Sequence, residues 1–244
     1  MKIVGETHQG LVRSSNQDSF AFGDFSSESC WAVVCDGMGG ANGGNIASQS
    51  AVKIAAENLC LHFREEMTDN SIKNLLQTVA AQANYSVYSK AQVDDALSGM
   101  GTTIAAVVVS HKKAHIVHIG DSRVYLISGG EINQITKDHS IVQMMLDNGQ
   151  ITPEQAKEHP RKHIITRAIG VEETVQPDYD EVDLSPESIL LLCTDGLTNF
   201  VEDDEILTLI NQSGFEGAAV QLIKLANQNG GGDNITVVAI ACNS

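Results

Sequence analysis

Basic residues are scarce in this chain. Its 244 residues include 15 Lys and Arg against 31 Asp and Glu, a formal net charge of −16. That is the opposite of the basic footprint with which proteins hold nucleic acid, so a nucleic-acid partner is not expected. Most of the surplus acid is expected to keep the surface soluble, and a cation site needs only a few of these carboxylates. Long hydrophobic runs are missing too. The longest, 104–109 and 237–242, fall far short of the roughly 20 apolar residues of a membrane helix. The opening Met1-Lys2-Ile3-Val4-Gly5-Glu6 turns polar too early for a secretory leader. Five cysteines, an odd number with no C-x-x-C pair, suit a reducing compartment. Cys35 and Cys193 lie in apolar runs and read as small buried hydrophobes. These absences make the cytoplasm the expected location. No repeat, low-complexity tract or Pro-rich linker divides the chain, so one domain, 1–244, is expected.

What is present is a set of short, β-branched runs. Residues 3–7, 31–35, 102–109, 115–119, 124–127, 189–193 and 235–241 read as strands, and several are apolar throughout, as in strands buried on both faces. His111-Lys112-Lys113 and Gly129-Gly130 are the hairpin signals between neighbours. Residues 46–63 and 72–93 place apolar side chains at helical spacing. Shorter helices are expected over 140–148, closed by Gly149, and from Thr152-Pro153 onward, then at 203–211 and 216–228. Helices, a meander of strands and helices again is not strict βαβ alternation. It predicts an α+β fold of antiparallel sheets with helices packed outside.

The apolar strands end in acids. Residues 31–35 run into Asp36-Gly37, 117–120 into Asp121-Ser122-Arg123, and 190–194 into Asp195-Gly196, while Gly230-Gly231-Gly232 leads into Asp233-Asn234. Any one Asp-Gly is best read as a hairpin turn. Several strand-end aspartates whose strands share a core are different, because clustered carboxylates repel unless a divalent cation neutralises them. Oxygen-only donors point to Mg²⁺, Mn²⁺ or Ca²⁺ rather than structural zinc. The acids are not bunched into an EF-hand loop, and Pro160 disfavours a shared helix face for His159 and His163. Paired hard cations generate a nucleophilic water, the help that slow phosphate monoester hydrolysis requires. Arg13, five residues before Asp18, is a candidate to grip the phosphate, since guanidinium pairs bidentately with it. The glycine cluster at 39–44 lacks the Lys-Ser/Thr of a P-loop and reads as close packing before a helix.

Six strings carry a family resemblance: Arg13-Ser14-Ser15-Asn16-Gln17-Asp18, Asp36-Gly37-Met38-Gly39-Gly40, Met100-Gly101-Thr102-Thr103, Gly120-Asp121-Ser122-Arg123, Thr194-Asp195-Gly196-Leu197 and Asp233-Asn234-Ile235-Thr236. In order and approximate spacing, from about residue 5 to 238, the chain resembles the type 2C, metal-dependent Ser/Thr protein phosphatases, most of all their compact bacterial branch. The resemblance implies a central antiparallel β-sandwich flanked by α-helices on both sides, a four-layer αββα arrangement. It implies hydrolysis of phosphoserine and phosphothreonine by direct attack of a water bridging two Mn²⁺ or Mg²⁺ ions, with no phospho-enzyme. By position Asp36 bridges the two metals, the Gly37 carbonyl binds one, and Asp195 and Asp233 bind the other. Asp18 sits close by and holds metal-bound waters, Asp121 with Asp195 matches a weaker third-metal site, and Arg13 matches the phosphate-binding arginine. Phosphorylated proteins are the implied partners and a cognate Ser/Thr protein kinase the implied opponent, with no membrane association and a monomeric state.

Met38 stands where many eukaryotic members have a histidine proposed as general acid, and methionine has no proton to give. His139 and His163 are the alternative proton donors that the sequence offers. Residues 138–170 match the family's flap beside the active site, where Lys157, Arg161 and Lys162 are candidate contacts to a substrate protein. Two other readings compete. One is a catalytically inactive phosphoprotein-binding module of the same fold. The other is an aspartyl-phosphate-forming phosphatase, to which Asp195-Gly196-Leu197-Thr198 is a poor match because Leu197 replaces the second acid.

Overall fold

Alternation decides the architecture. Along residues 30–35 every side chain is buried, and successive ones enter different cores. Trp31, Val33 and Cys35 pack among helical residues, while Cys30, Ala32 and Val34 pack against a second sheet. A strand of period two can do this only if both its faces are covered. The computed structural model describes residues 1–242, except for the side chains of residues 40–42.

The elements run β1 (Lys2–His8), β2 (Asp18–Asp24), β3 (Cys30–Met38), α1 (Gly40–His62), α2 (Asp69–Val93), β4 (Gly101–Thr102), β5 (Ile104–Ser110), β6 (Lys113–Ile119), β7 (Arg123–Ser128) and β8 (Glu131–Gln134). They continue with α3 (Ile141–Asp147), α4 (Pro153–Lys157), β9 (Asp178–Asp183), β10 (Ile189–Cys193), α5 (Asp195–Thr198), α6 (Asp203–Ser213), α7 (Ala218–Gln228) and β11 (Ile235–Ala241). One sheet has the order β1-β11-β10-β7-β8 and the other β2-β3-β5-β6-β9, with β4 paired to β3. All pairings are antiparallel.

Three hydrophobic layers hold this together. The middle one lies between the sheets and includes Val34, Val107, Ile116, Leu190, Leu192, Val238 and Ile240. One outer layer joins β3, β5 and β6 to α1 and α2 through Leu59, Ile72, Leu76 and Val79. The other joins β7, β10 and β11 to α5, α6 and α7 through Leu197, Ile206, Ile210 and Leu222. The expected helix–sheet–sheet–helix layering is observed.

The differences from the sequence reading have local causes. The strands β2, β8 and β9 are edges of their sheets. They mix exposed and half-buried positions, so their polar letters hide them. The helix expected at 46–63 starts earlier, at Gly40; its glycine-rich first turn carries no helical signal, since glycine is a poor helix former. The helix expected at 216–228 begins at Ala218, after a 3₁₀ turn over Phe215–Gly217. Neither Asp36-Gly37 nor Asp195-Gly196 is a hairpin turn: the first pair continues β3 and the second opens α5. The real two-residue turns are His111-Lys112 and Gly129-Gly130, all four with positive φ, as primed turns require.

Leu192 is fully buried between the sheets. Leu192→Ala is expected to cost about 2–5 kcal/mol, read as a lower urea midpoint at unchanged m-value.

Candidate active site

The strand ends meet on one side of the sandwich. In the β2–β3 ladder Asp18 lies directly opposite Asp36, so two carboxylates leave the same face of neighbouring strands. From the other sheet, Asp195 follows β10 and Asp233 precedes β11. Asp121 follows β6 through Gly120, whose φ is +109°. Arg13, Asp36, Gly37, Asp121, Asp195 and Asp233 all line one cleft of about 570 Å³, with His163, Asn199 and Phe200 on its walls. Asp18 is 6% exposed and sits behind it.

Such crowding shifts proton affinities upward. The Asp36 carboxyl is held well above the usual carboxylate range, by burial first and then by the charges of Asp18, Asp195, Asp121 and Asp233. Burial, then the charge of Asp195, also holds Asp121 well above that range. Asp195 is raised by burial and by Asp233. Asp18 is pushed up to about 7 by burial, against the opposing effect of two threonine hydroxyls. Arg13 supplies the countercharge: its Nη2 donates to Asp233 Oδ2 at 2.7 Å, and Asp36 and Asp195 further raise its proton affinity.

A layer of hydroxyls and amides aims these acids. Thr194 Oγ1 and Thr236 Oγ1 both donate to Asp18 Oδ2, at 2.9 and 2.7 Å. The Asp36 amide donates to Thr103 Oγ1 at 2.8 Å, and Thr103 exchanges a 2.7 Å hydrogen bond with Ser122. Asn199 Nδ2 donates to Asp195 Oδ2 at 2.9 Å. Asn234 bridges three segments, accepting from Gln17 N and donating to the carbonyls of Gln9 and Ser15. The sequence reading missed these roles, although Thr103, Thr194, Asn234 and Thr236 stand inside the motif strings. Glycine matters at Gly37, where a Cβ would run into the Gly44 carbonyl. The 39–44 cluster is thus the close packing expected of it.

The donor set is all oxygen. Asp18 Oδ1 and Asp195 Oδ1 are buried without a hydrogen-bond partner, and buried carboxylates that repel each other call for positive charge. Among the described residues no three His, Cys, Asp or Glu side chains already form a cage for one ion. A site for hard cations that keep several waters does not require such a cage.

The Protein phosphatase 2C family model matches residues 5–231. The chain belongs to this family. Among curated relatives, protein phosphatase PhpP of Streptococcus pneumoniae is 37% identical over 100% of this chain and 98% of its own. The solved structure of the Mycobacterium tuberculosis serine/threonine phosphatase PstP/Ppp superposes with a TM-score of 0.91 at 34% identity, covering 100% of this chain and 99% of that one. The PstP catalytic domain in complex with 2 manganese ions superposes with a TM-score of 0.86 at 33% identity, over 98% and 96% of the two chains.

The two ends of the 138–170 segment are pinned together. Ser140 bridges Ile165, Ile141 N donates to Ile164 O at 2.9 Å and Thr166 N donates to His139 O at 2.8 Å. Lys157, a candidate contact to a substrate protein, pairs with Glu202 at 2.5 Å on the surface and links α4 to the start of α6. His139 is not the cleft's proton donor. Its Nδ1 accepts from Gly120 N at 3.0 Å, which leaves the proton on Nε2, facing Asp178 Oδ2 at 3.1 Å. His118 Nε2 donates to the Gly120 carbonyl at 2.8 Å, so two imidazoles clamp the peptide that leads into Asp121. His163 does line the cleft.

Replacing Thr236 by Val removes a donor to a buried carboxylate and is expected to cost about 1–3 kcal/mol, measured by urea denaturation. His118 provides a pH test. Burial, then His139, lowers its pKa from 6.5 to about 4, so the unfolded chain binds the extra proton between those values. Its contribution is therefore complete above about pH 6.5 and is lost as pH falls toward 4, up to about 3 kcal/mol. Wild type should lose more urea stability than His118→Gln between pH 7.5 and 5.

Proposed function

We propose that this chain hydrolyses phosphoserine and phosphothreonine in proteins by direct attack of water, in the cleft lined by Arg13, Asp36, Gly37, Asp121, Asp195 and Asp233. As a protein phosphatase 2C family member, the chain is a metal-dependent serine/threonine protein phosphatase. The observation that carries the assignment of roles is the convergence of strand-end carboxylates that raise one another's proton affinity.

In this reading Asp36, the Gly37 carbonyl, Asp195 and Asp233 hold two Mn²⁺ or Mg²⁺ ions, and Asp121 with Asp195 offers a weaker third position. Bound cations supply a water of lowered pKa and neutralise charge on the ester. Asp18, fixed on one oxygen by Thr194 and Thr236, has its other oxygen unpaired and would hold metal-bound waters. Asn199 fixes the orientation of Asp195. Arg13, whose side chain is 55% exposed, turns its remaining N–H groups to the phosphate dianion in a planar fork. Met38 lines the cleft without a proton to donate, so protonation of the leaving oxygen falls to solvent or to His163. An aspartyl-phosphate route is disfavoured because Asp195, its candidate nucleophile, is hydrogen-bonded to Asn199 and crowded by acids. A binding-only module is disfavoured by the complete set of carboxylates.

The same reading makes phosphorylated proteins the partners and a Ser/Thr protein kinase the opposing enzyme, with a monomer acting in the cytoplasm. No helix among the described residues is long and apolar enough to cross a membrane.

The test uses p-nitrophenyl phosphate and a phosphothreonine peptide with EDTA, Mn²⁺ or Mg²⁺. EDTA should abolish turnover and either ion restore it, and Asp36→Asn should lower kcat by about 10²-fold or more. Full activity of Asp36→Asn would sink the assignment.

A further inference from the structure

The cleft does not end at Met38. Met38 and Ile165 line it and also line a second hollow of about 510 Å³ walled by residues 166–176. Next to it Gly101 has no room for a side chain: a Cβ would stand 2.7 Å from Met38 Cε and 3.0 Å from both Val171 Cγ2 and the Ile169 carbonyl. Met38 and Val171 therefore pack close over bare backbone.

The wall has a fixed shape although it contains neither strand nor helix. Ile169 N donates to Thr102 O at 2.8 Å and Thr102 N donates back to Ile169 O at 3.0 Å. Asn84, on α2 and 2% exposed, accepts from Gly170 N at 2.7 Å and donates to the carbonyls of Glu172 and Glu173, each at 3.0 Å. A buried amide in a helix is costly without partners, and this one directs all of these bonds at the loop. A surface held this way binds with little ordering cost.

Its chemistry is also defined. Met38, Ile165, Val171 and Val175 give it an apolar lining, and Glu172 stands exposed at its side. The one lining cation, Arg167, is engaged by Asp178 at 2.6 Å. The net charge presented to an occupant is negative.

We propose that this groove receives the substrate polypeptide on one side of the phosphorylated residue, seating an apolar side chain against Met38, Val171 and Val175 and a Lys or Arg against Glu172. The inference rests on the protein phosphatase reading and names the substrates it selects. Continuity with the cleft identifies the occupant, since a chain that places its phosphate beside Arg13 and leaves past Met38 enters this hollow. The other exit runs under α3 and α4, where Asp121, Asp138, Asp203 and Asp204 line a polar hollow bordered by the Lys157–Glu202 ion pair. That exit mixes apolar Val142, Leu146 and Val201 with six acids, a more charged lining than the Met38 hollow, whose one lining acid is Glu172.

The experiment compares the Mn²⁺-loaded wild type, Val171→Asp and Glu172→Lys on p-nitrophenyl phosphate and on phosphothreonine peptides varied at each flanking position. Wild type should prefer an apolar residue plus a nearby Arg over acidic replacements by about three- to tenfold in kcat/KM at low salt. Glu172→Lys should reverse the basic-over-acidic preference, and Val171→Asp should abolish the apolar one. Hydrolysis of p-nitrophenyl phosphate, which does not reach the groove, should change by less than about twofold in either variant. An unchanged peptide ranking in both variants would overturn the proposal, as would a parallel fall on the small ester and the peptides. Loss of Mn²⁺ dependence on the small ester in wild type would instead remove the catalytic reading beneath it.

Discussion

Repulsion among buried carboxylates is the constraint around which the rest of this protein is arranged. Asp18 and Asp36 face each other across one ladder, and Asp121, Asp195 and Asp233 add their charges from neighbouring strand ends. Like charges held this close raise each other's proton affinity and strain any fold that brings them together. The sandwich withstands that strain through three apolar layers, which lock the strand ends in place from both sides. A less deeply packed scaffold would relax by letting the acids splay into solvent.

Between the apolar layers and the acids lies a thin polar one. Thr7, Thr194 and Thr236 link the ends of β1, β10 and β11 to Asp18 from the opposite sheet. Thr103 and Ser122 do the same for the backbone of Asp36. Each hydroxyl is small enough to fit at a strand end and can both donate and accept. The layer therefore orients carboxylates without adding charge, and it leaves one oxygen of Asp18 and one of Asp195 unpaired. Those free oxygens point to a role beyond structure.

The acid-lined cleft and its surroundings are coupled through backbone. The clamp of His118 and His139 on Gly120 joins the start of the 138–170 segment to the turn that carries Asp121. Asp178 accepts from both His139 and Arg167, and Arg167 also stands in the wall of the neighbouring groove. Groove, the base of the 138–170 segment and the turn before Asp121 thus share one hydrogen-bonded network, while the cores beneath them are apolar.

Much of this was legible in the residues alone. The apolar runs announced the central strands, because a strand buried on both faces has no polar letters to confuse it. The edge strands β2 and β9 were not announced, since half-exposed positions accept any letter, and β8 was signalled only by the Gly129-Gly130 turn before it. The aspartates stood out because an acid at the end of an apolar run demands a reason, and the motif strings tied them to a family. What the linear order did not contain was which oxygens are paired and which are not. His139 and His163 looked equivalent until packing turned one toward Gly120 and left the other in the cleft. Lys157 looked available until α6 brought Glu202 to it. The groove beside Met38 had no signature, because it is made by Asn84 reaching across 86 positions to Gly170. Sequence determined the residue chemistry and the local periodicity, which depend on neighbours along the chain. Tertiary structure alone decided partnership, because hydrogen bonds and charges act through space, and residues distant in sequence meet only after the layers have packed.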